Sequence, residues 1–151
     1  MKTKQHFLVI FIITLTFNSC NKENNCQNEI LPTFSLENKY NCSNTASQMD
    51  IQLSNDYVII RNQSKFDNLV TGSCIPVIDF NSYDLIIGKQ GLNNGLVSID
   101  YVLTRDCVTK KLELLVTFNT DLTNVAPNVT YHALIPKLGI EETVNVETLI
   151  K

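Results

Sequence analysis

Two stretches of alternating polarity stand either side of a short connection between Leu96 and Phe118, and they constrain the fold more than anything else in the chain. Side chains along a strand point to opposite faces with a period of two. Val97, Ile99, Tyr101 and Leu103 therefore share one face, with Ser98 and Asp100 on the other. Leu112, Leu114, Val116 and Phe118 repeat the pattern against Lys111, Glu113 and Thr117. A seven-residue loop, Thr104 to Lys110, joins the two as a hairpin and carries Cys107. Asn94-Gly95, just before the first strand, tolerates positive φ and marks a tight turn.

Shorter strand signals surround this pair. Tyr57 to Ile60 and Leu85 to Gly88 are apolar runs too short for alternation to assign faces. Thr130 to Ile135 and Thr143 to Leu149 add two more, the second with Val144 and Val146 alternating against Asn145 and Glu147. Gln63-Ser64 offers an N-cap to Lys65–Val70, where Phe66, Leu69 and Val70 sit three and four apart, as on one helical face. Short strands at close spacing imply a mainly β fold, an antiparallel sandwich or open barrel with one short helix.

The amino end sets the compartment. Met1 to His6 is polar with two lysines, Phe7 to Phe17 is almost wholly apolar, and Asn18-Ser19-Cys20 follows, the three-part layout of an export signal. Eleven helical residues rise only about 16 Å, short of the ~30 Å hydrocarbon core, so the run is a poor membrane span. Phe17-Asn18-Ser19-Cys20 resembles the bacterial lipobox, whose Cys is diacylated, freed by cleavage and acylated again on its new amino group. Several acyl chains at ~0.8 kcal/mol per buried CH2 anchor a protein stably. The expected organisation is a signal peptide over residues 1–19, a lipidated tether and irregular segment over 20–50, and a β-rich domain over 51–151. Asn21-Lys22-Glu23 lacks the Asp that retains some lipoproteins at the inner membrane, so the expected address is the outer membrane.

Spending Cys20 on lipid leaves Cys26, Cys42, Cys74 and Cys107, an even set suited to two disulfides outside the cytoplasm. Cys74 and Cys107 both occupy loop positions of the domain, so they are expected to pair, leaving Cys26 with Cys42 inside the tether. No Cys-x-x-Cys occurs and His132 is the single His after the signal, so no metal site is expected. The N-x-S/T triplets at Asn41, Asn62 and Asn128 carry no weight beside a lipobox.

Catalytic signals are thin. Nucleophilic catalysis needs a base beside the nucleophile, and His132, alternating with Tyr131 and Ala133 in a strand, is expected to be solvent-facing or satisfied within the sheet. Asp79, Asp84, Asp100 and Asp106 offer carboxylates for acid-base work, although nothing fixes their separation. Asp79 is expected to close an Asx-type turn. Asp79, Asn81 and Asp84 supply three oxygens without a full calcium loop. Gly88, Gly91 and Gly95 form no phosphate-binding fingerprint, and hairpin turns explain them better. No catalytic residue, metal or other cofactor is expected.

Charge excludes one partner class. The chain carries a formal charge of −3, and removing the first 19 residues, with two lysines and no acid, makes it −5. Nucleic acid, which needs clustered positive charge, is not expected as a partner.

Ile78-Asp79-Phe80, then Leu85-Ile86-Ile87-Gly88, then Gly95-Leu96-Val97-Ser98-Ile99, then Leu112 to Val116, and finally Tyr131-His132-Ala133-Leu134-Ile135-Pro136-Lys137 stand in an order that resembles the PrcB C-terminal domain family. The resemblance covers about Asp56 to Lys151. It implies an accessory subunit of an extracytoplasmic protease complex rather than the protease itself, and it brings no catalytic residues. The expected function is therefore a lipid-anchored binding module that stabilises or positions a protein partner. A glycan or small-ligand binder is the alternative, and a carboxylate-dependent hydrolase the less favoured one.

Overall fold

A computed structural model describes residues 26–54 and 56–151. The elements run β1 (Glu29–Leu31), α1 (Leu36–Tyr40), α2 (Thr45–Gln48), β2 (Met49–Ile51), β3 (Tyr57–Ile60), α3 (Gln63–Leu69), β4 (Val70–Gly72), β5 (Tyr83–Gly91), β6 (Leu96–Arg105), β7 (Leu112–Thr120), β8 (Asn128–Pro136) and β9 (Val144–Ile150). The fold is a mainly β sandwich. One sheet has the order β1-β6-β7-β9, the facing sheet β3-β5-β8, and β2 pairs with β4 in a small ribbon.

The alternating segments form the hairpin expected of them, β6 and β7, antiparallel through Arg105↔Leu112. Leu112, Leu114, Val116 and Phe118 are all buried, as their period requires. Across the sandwich they meet Ile86, Val129, Tyr131, Ala133 and Ile135 of the facing sheet. Fully burying one such aliphatic or aromatic side chain is worth about 1.5–3 kcal/mol, so this interface contributes a large share of the fold's stability. Phe118 and Tyr131 pack edge to face at 5.8 Å. Tyr131 stands opposite Gly88, where an added Cβ would fall within 3 Å of the tyrosine ring. Gly88 is thus a close-approach glycine in a strand, not a hairpin glycine.

The second sheet is buried on both sides. Leu85, Ile87 and Leu134 point away from the sandwich interface into a second cluster with Leu36, Met49, Ile51, Ile60, Phe66, Val70 and Ile78. The helices and the β2–β4 ribbon therefore form a third layer. A strand buried on both faces reads as a continuous apolar run, which is why Leu85-Ile86-Ile87 shows no alternation.

Four expectations are corrected here. Three short helices are present, not one, because residues 36–48 contribute α1 and α2. Ser35 caps α1 by accepting from the Asn38 N–H, and Asn62 caps α3 by accepting from the Lys65 N–H. The sheets are not wholly antiparallel: β9 pairs with β7 in parallel, since the chain crosses to the other sheet as β8 before returning. Asn94-Gly95 is no hairpin turn. It lies between strands of different sheets, and neither residue has a positive φ. Finally, Val97 does not join Ile99, Tyr101 and Leu103 on the inner face. A bulge between Leu96 and Ser98 shifts the phase and leaves Val97 66% exposed.

The disulfides and the tether are corrected together. Cys26 bonds Cys107, and Cys42 bonds Cys74. Cys107 sits at the tip of the β6–β7 hairpin, in one outer layer. Cys74 follows β4 in the layer on the far side of the second sheet, so these two cannot meet. The segment expected as a tether is folded into the domain: β1 pairs with β6, Leu36 is fully buried, and Met49 and Ile51 pack in the second core. The boundary near residue 50 therefore moves back at least to β1. Cys20 and the signal segment lie outside the described residues. No helix among the described residues is long and apolar enough to cross a membrane.

Candidate functional site

The carboxylates picked out by sequence do separate work. Asp79 closes the expected Asx turn, accepting from the Asn81 N–H at 3.2 Å. Asp106 likewise accepts from the N–H groups of Val108 and Thr109 in the β6–β7 connection. Asp100 accepts from the Asn119 side chain at 2.6 Å. Asp84 is fully buried. It accepts from Lys137 Nζ at 2.7 Å and from the Leu138 N–H at 3.1 Å, with Arg61 Nε at 3.9 Å. Both Asp84 oxygens thereby tie β5 to the end of β8. Among the described residues no three His, Cys, Asp or Glu side chains gather as a metal site.

His132 has a different setting. It is only 2% exposed, on the edge of β8, and faces the segment that was expected to be a tether. Its Nδ1 accepts from the Leu36 N–H at 3.4 Å, which leaves the proton on Nε2. Nε2 then faces Thr45 Oγ1 at 2.6 Å and Glu37 Oε2 at 3.5 Å. Thr45 Oγ1 donates onward to Glu37. The hydrogen bonds therefore run from His132 through Thr45 to Glu37. A hydroxyl nucleophile needs the opposite arrangement, with a basic imidazole nitrogen receiving its proton. In this state the cluster orients the Glu37 carboxylate.

Burial pushes the Glu37 carboxyl up, but His132 and Thr45 outweigh it and hold the group at about 2, below its ordinary 4.5. The unfolded chain takes up this proton first as pH falls, so the stability Glu37 contributes is complete above pH 4.5 and is lost on the way down to about 2. Glu37→Gln is expected to flatten the fall in unfolding free energy across that window, measured by urea titration at successive pH values. Parallel curves for the two proteins would contradict the assignment.

These groups line a slot of about 270 Å³ with Ser35, Ala46, Leu96, Ile99 and Tyr101. Pockets for whole small ligands run from ~300 to ~1,000 Å³, so this one is sized for one or two side chains. It opens where each sheet of the sandwich ends, between the edges of β6 and β8. Tyr101 crosses the gap, its hydroxyl accepting from the His132 N–H at 3.1 Å. Burial pushes that hydroxyl's pKa up, so it remains neutral. Glu37, Thr45 and Tyr101 were not among the residues marked by sequence, and only His132 links this site to the earlier candidates.

A second concavity of about 540 Å³ lies on the outer face of the four-stranded sheet. It is lined by Asn28, Thr104, Asp106, Lys111, Glu113 and Asn145, among others. Thr104, Glu113 and Asn145 occupy neighbouring positions across three strands.

The chain matches no family model, no curated protein and no solved structure. What the fold and site define is a disulfide-bonded β sandwich with a narrow anionic slot at one open edge.

Proposed function

We propose that this chain is an extracytoplasmic binding module, anchored by lipid on Cys20 at the outer membrane, that stabilises or positions a protein partner. The observation that carries this reading is the slot between β6 and β8, where an oriented carboxylate and apolar side chains adjoin an open strand edge. The two disulfides support an oxidising compartment. The resemblance of Asp56 to Lys151 to the PrcB C-terminal domain family supports an accessory role beside a protease. The test is capture of the intact lipoprotein from detergent-solubilised envelope: one specific partner is expected, and none across several growth conditions counts against the reading.

The anchor is tested separately. Mass spectrometry of the mature chain is expected to find acylated Cys20 at its amino end, and Cys20→Ala is expected to release the protein from membranes or leave it as precursor. An unmodified Cys20 in the envelope fraction would overturn the anchor.

The polar concavity beside Glu113 and Asn145 favours a second reading, a glycan or small polar ligand. It has no aromatic lining on which a sugar ring could stack.

A further inference from the structure

β1 pairs with β6 over only three residues, ending at Leu31↔Leu103. Pro32 follows, and a residue without an N–H cannot continue the ladder. Thr33 Oγ1 still donates to the Tyr101 carbonyl at 3.5 Å, but Phe34 has already crossed to bridge Leu134 on the other sheet. Upstream of that point no described strand pairs with β6 on the side away from β7.

The direction of the open groups follows from the same contact. The Tyr101 carbonyl, taken by Thr33 Oγ1, faces away from β7, so the backbone groups of Ile99, two residues back, face the same side, where no described strand pairs with them. Val97 sits in the bulge, has no partner on β7, and is largely exposed beside them. The slot opens along this edge, with the Glu37 carboxylate in its wall. Among the described residues no Lys or Arg is paired with Glu37, whose contacts are His132 and Thr45.

Resting on the binding-module reading, we propose that the free edge of β6 from Leu96 to Tyr101 takes an extended segment of the partner protein. The segment runs antiparallel to β6, in line with β1, and places a lysine or arginine in the slot against Glu37. Backbone hydrogen bonds to a sheet edge supply affinity in such additions, and side-chain pockets supply specificity. Here the pocket is small and anionic, which selects one cationic side chain. A second copy of the chain would have to bring the same anionic slot against itself, which charge opposes.

The test uses the full mature protein in detergent and three blocked peptides of about nine residues. One alternates Val and Thr around a central Lys; the second has Glu in place of Lys; the third repeats the first with N-methyl groups on alternate amides. Binding is followed by NMR and by amide exchange. The Lys peptide is expected to bind saturably and to slow exchange at Ile99 and Tyr101. The Glu and N-methylated peptides are expected to bind about tenfold or more weakly.

Val97→Pro removes no ladder partner and no buried side chain, and it is expected to weaken Lys-peptide binding about tenfold while keeping the melting transition. Glu37→Gln is expected to erase most of the preference for Lys over Glu, which tests the proposal even if the proline variant fails to fold. Equal binding of all three peptides, no saturable binding up to about 1 mM, or slowed exchange that rises with protein concentration alone would overturn it. An envelope partner captured equally by wild type and a folded Val97→Pro would sink the edge site while leaving the binding module standing. Selective peptide binding without any envelope partner would do the reverse.

Discussion

Replacing Cys26 and Cys107 by Ser is expected to cost about 4.5 kcal/mol, more than the chain-entropy cost of losing the other disulfide. The bond spans a sequence separation of 81, and closing so long a loop removes about that much freedom from the unfolded state in the chain-entropy model. It also holds β1 beside the tip of the β6–β7 hairpin, where the Cys107 N–H donates to Asn28. Cys42–Cys74 closes a separation of only 32, and losing it is expected to cost about 3.7 kcal/mol from chain entropy, besides the packing of buried Cys42. Because domains of this size are stable by only about 5–15 kcal/mol, the first variant is expected to be close to unfolded at 37 °C. Urea titrations of the two double variants give the comparison. Non-reducing peptide mapping that recovered Cys74 linked to Cys107 would remove its basis.

Lys137→Met is expected to destabilise by about 3 kcal/mol, because it leaves the Asp84 carboxylate wholly buried with the Leu138 N–H and a more distant Arg61. Arg61 cannot simply move in. Its guanidinium already donates to the carbonyls of Gly139, Ile140 and Glu142, pinning the loop between β8 and β9. Removing the carboxylate as well reverses the logic: Asp84→Leu combined with Lys137→Met is expected to cost less than Lys137→Met alone, since no uncompensated charge remains inside. Unfolding free energies of the single and double variants decide this. A double variant worse than the lysine variant would show that Asp84 matters for its shape and hydrogen bonds rather than its charge balance.

The strands were legible wherever one face meets water. β6 and β7 show it best, because polar Ser98, Asp100 and Glu113 mark the outer face while Ile99, Leu103, Leu112 and Leu114 mark the inner one. Val97 broke the pattern because a bulge is a change in pairing that leaves no trace in polarity. β5 concealed its faces since the third layer covers one of them, and the parallel return of β9 depends on a crossing that local periodicity does not record. The site was nearly invisible for a related reason. Glu37 and Thr45 lie in an Asn- and Ser-rich stretch whose composition reads as linker. The stretch folds because Leu36, Met49 and Ile51 find a core and two disulfides tie it down at Cys26 and Cys42. A usable signal was present in Ser35, an N-cap residue ahead of Leu36 and Tyr40 at helical spacing.

Photocrosslinking from the edge of β6 tests the proposed role most directly. A benzophenone amino acid is placed at Val97 in the lipidated chain within intact cells, and the same group at Ile140 serves as control. Ile140 is 91% exposed in the connection between β8 and β9, on the side of the molecule where Arg61 binds that loop. A partner held along β6 predicts one discrete crosslinked species from position 97, absent from position 140 and reduced by excess Lys peptide. No crosslink from position 97, or the same species from both positions, would contradict a binding module that works through this edge.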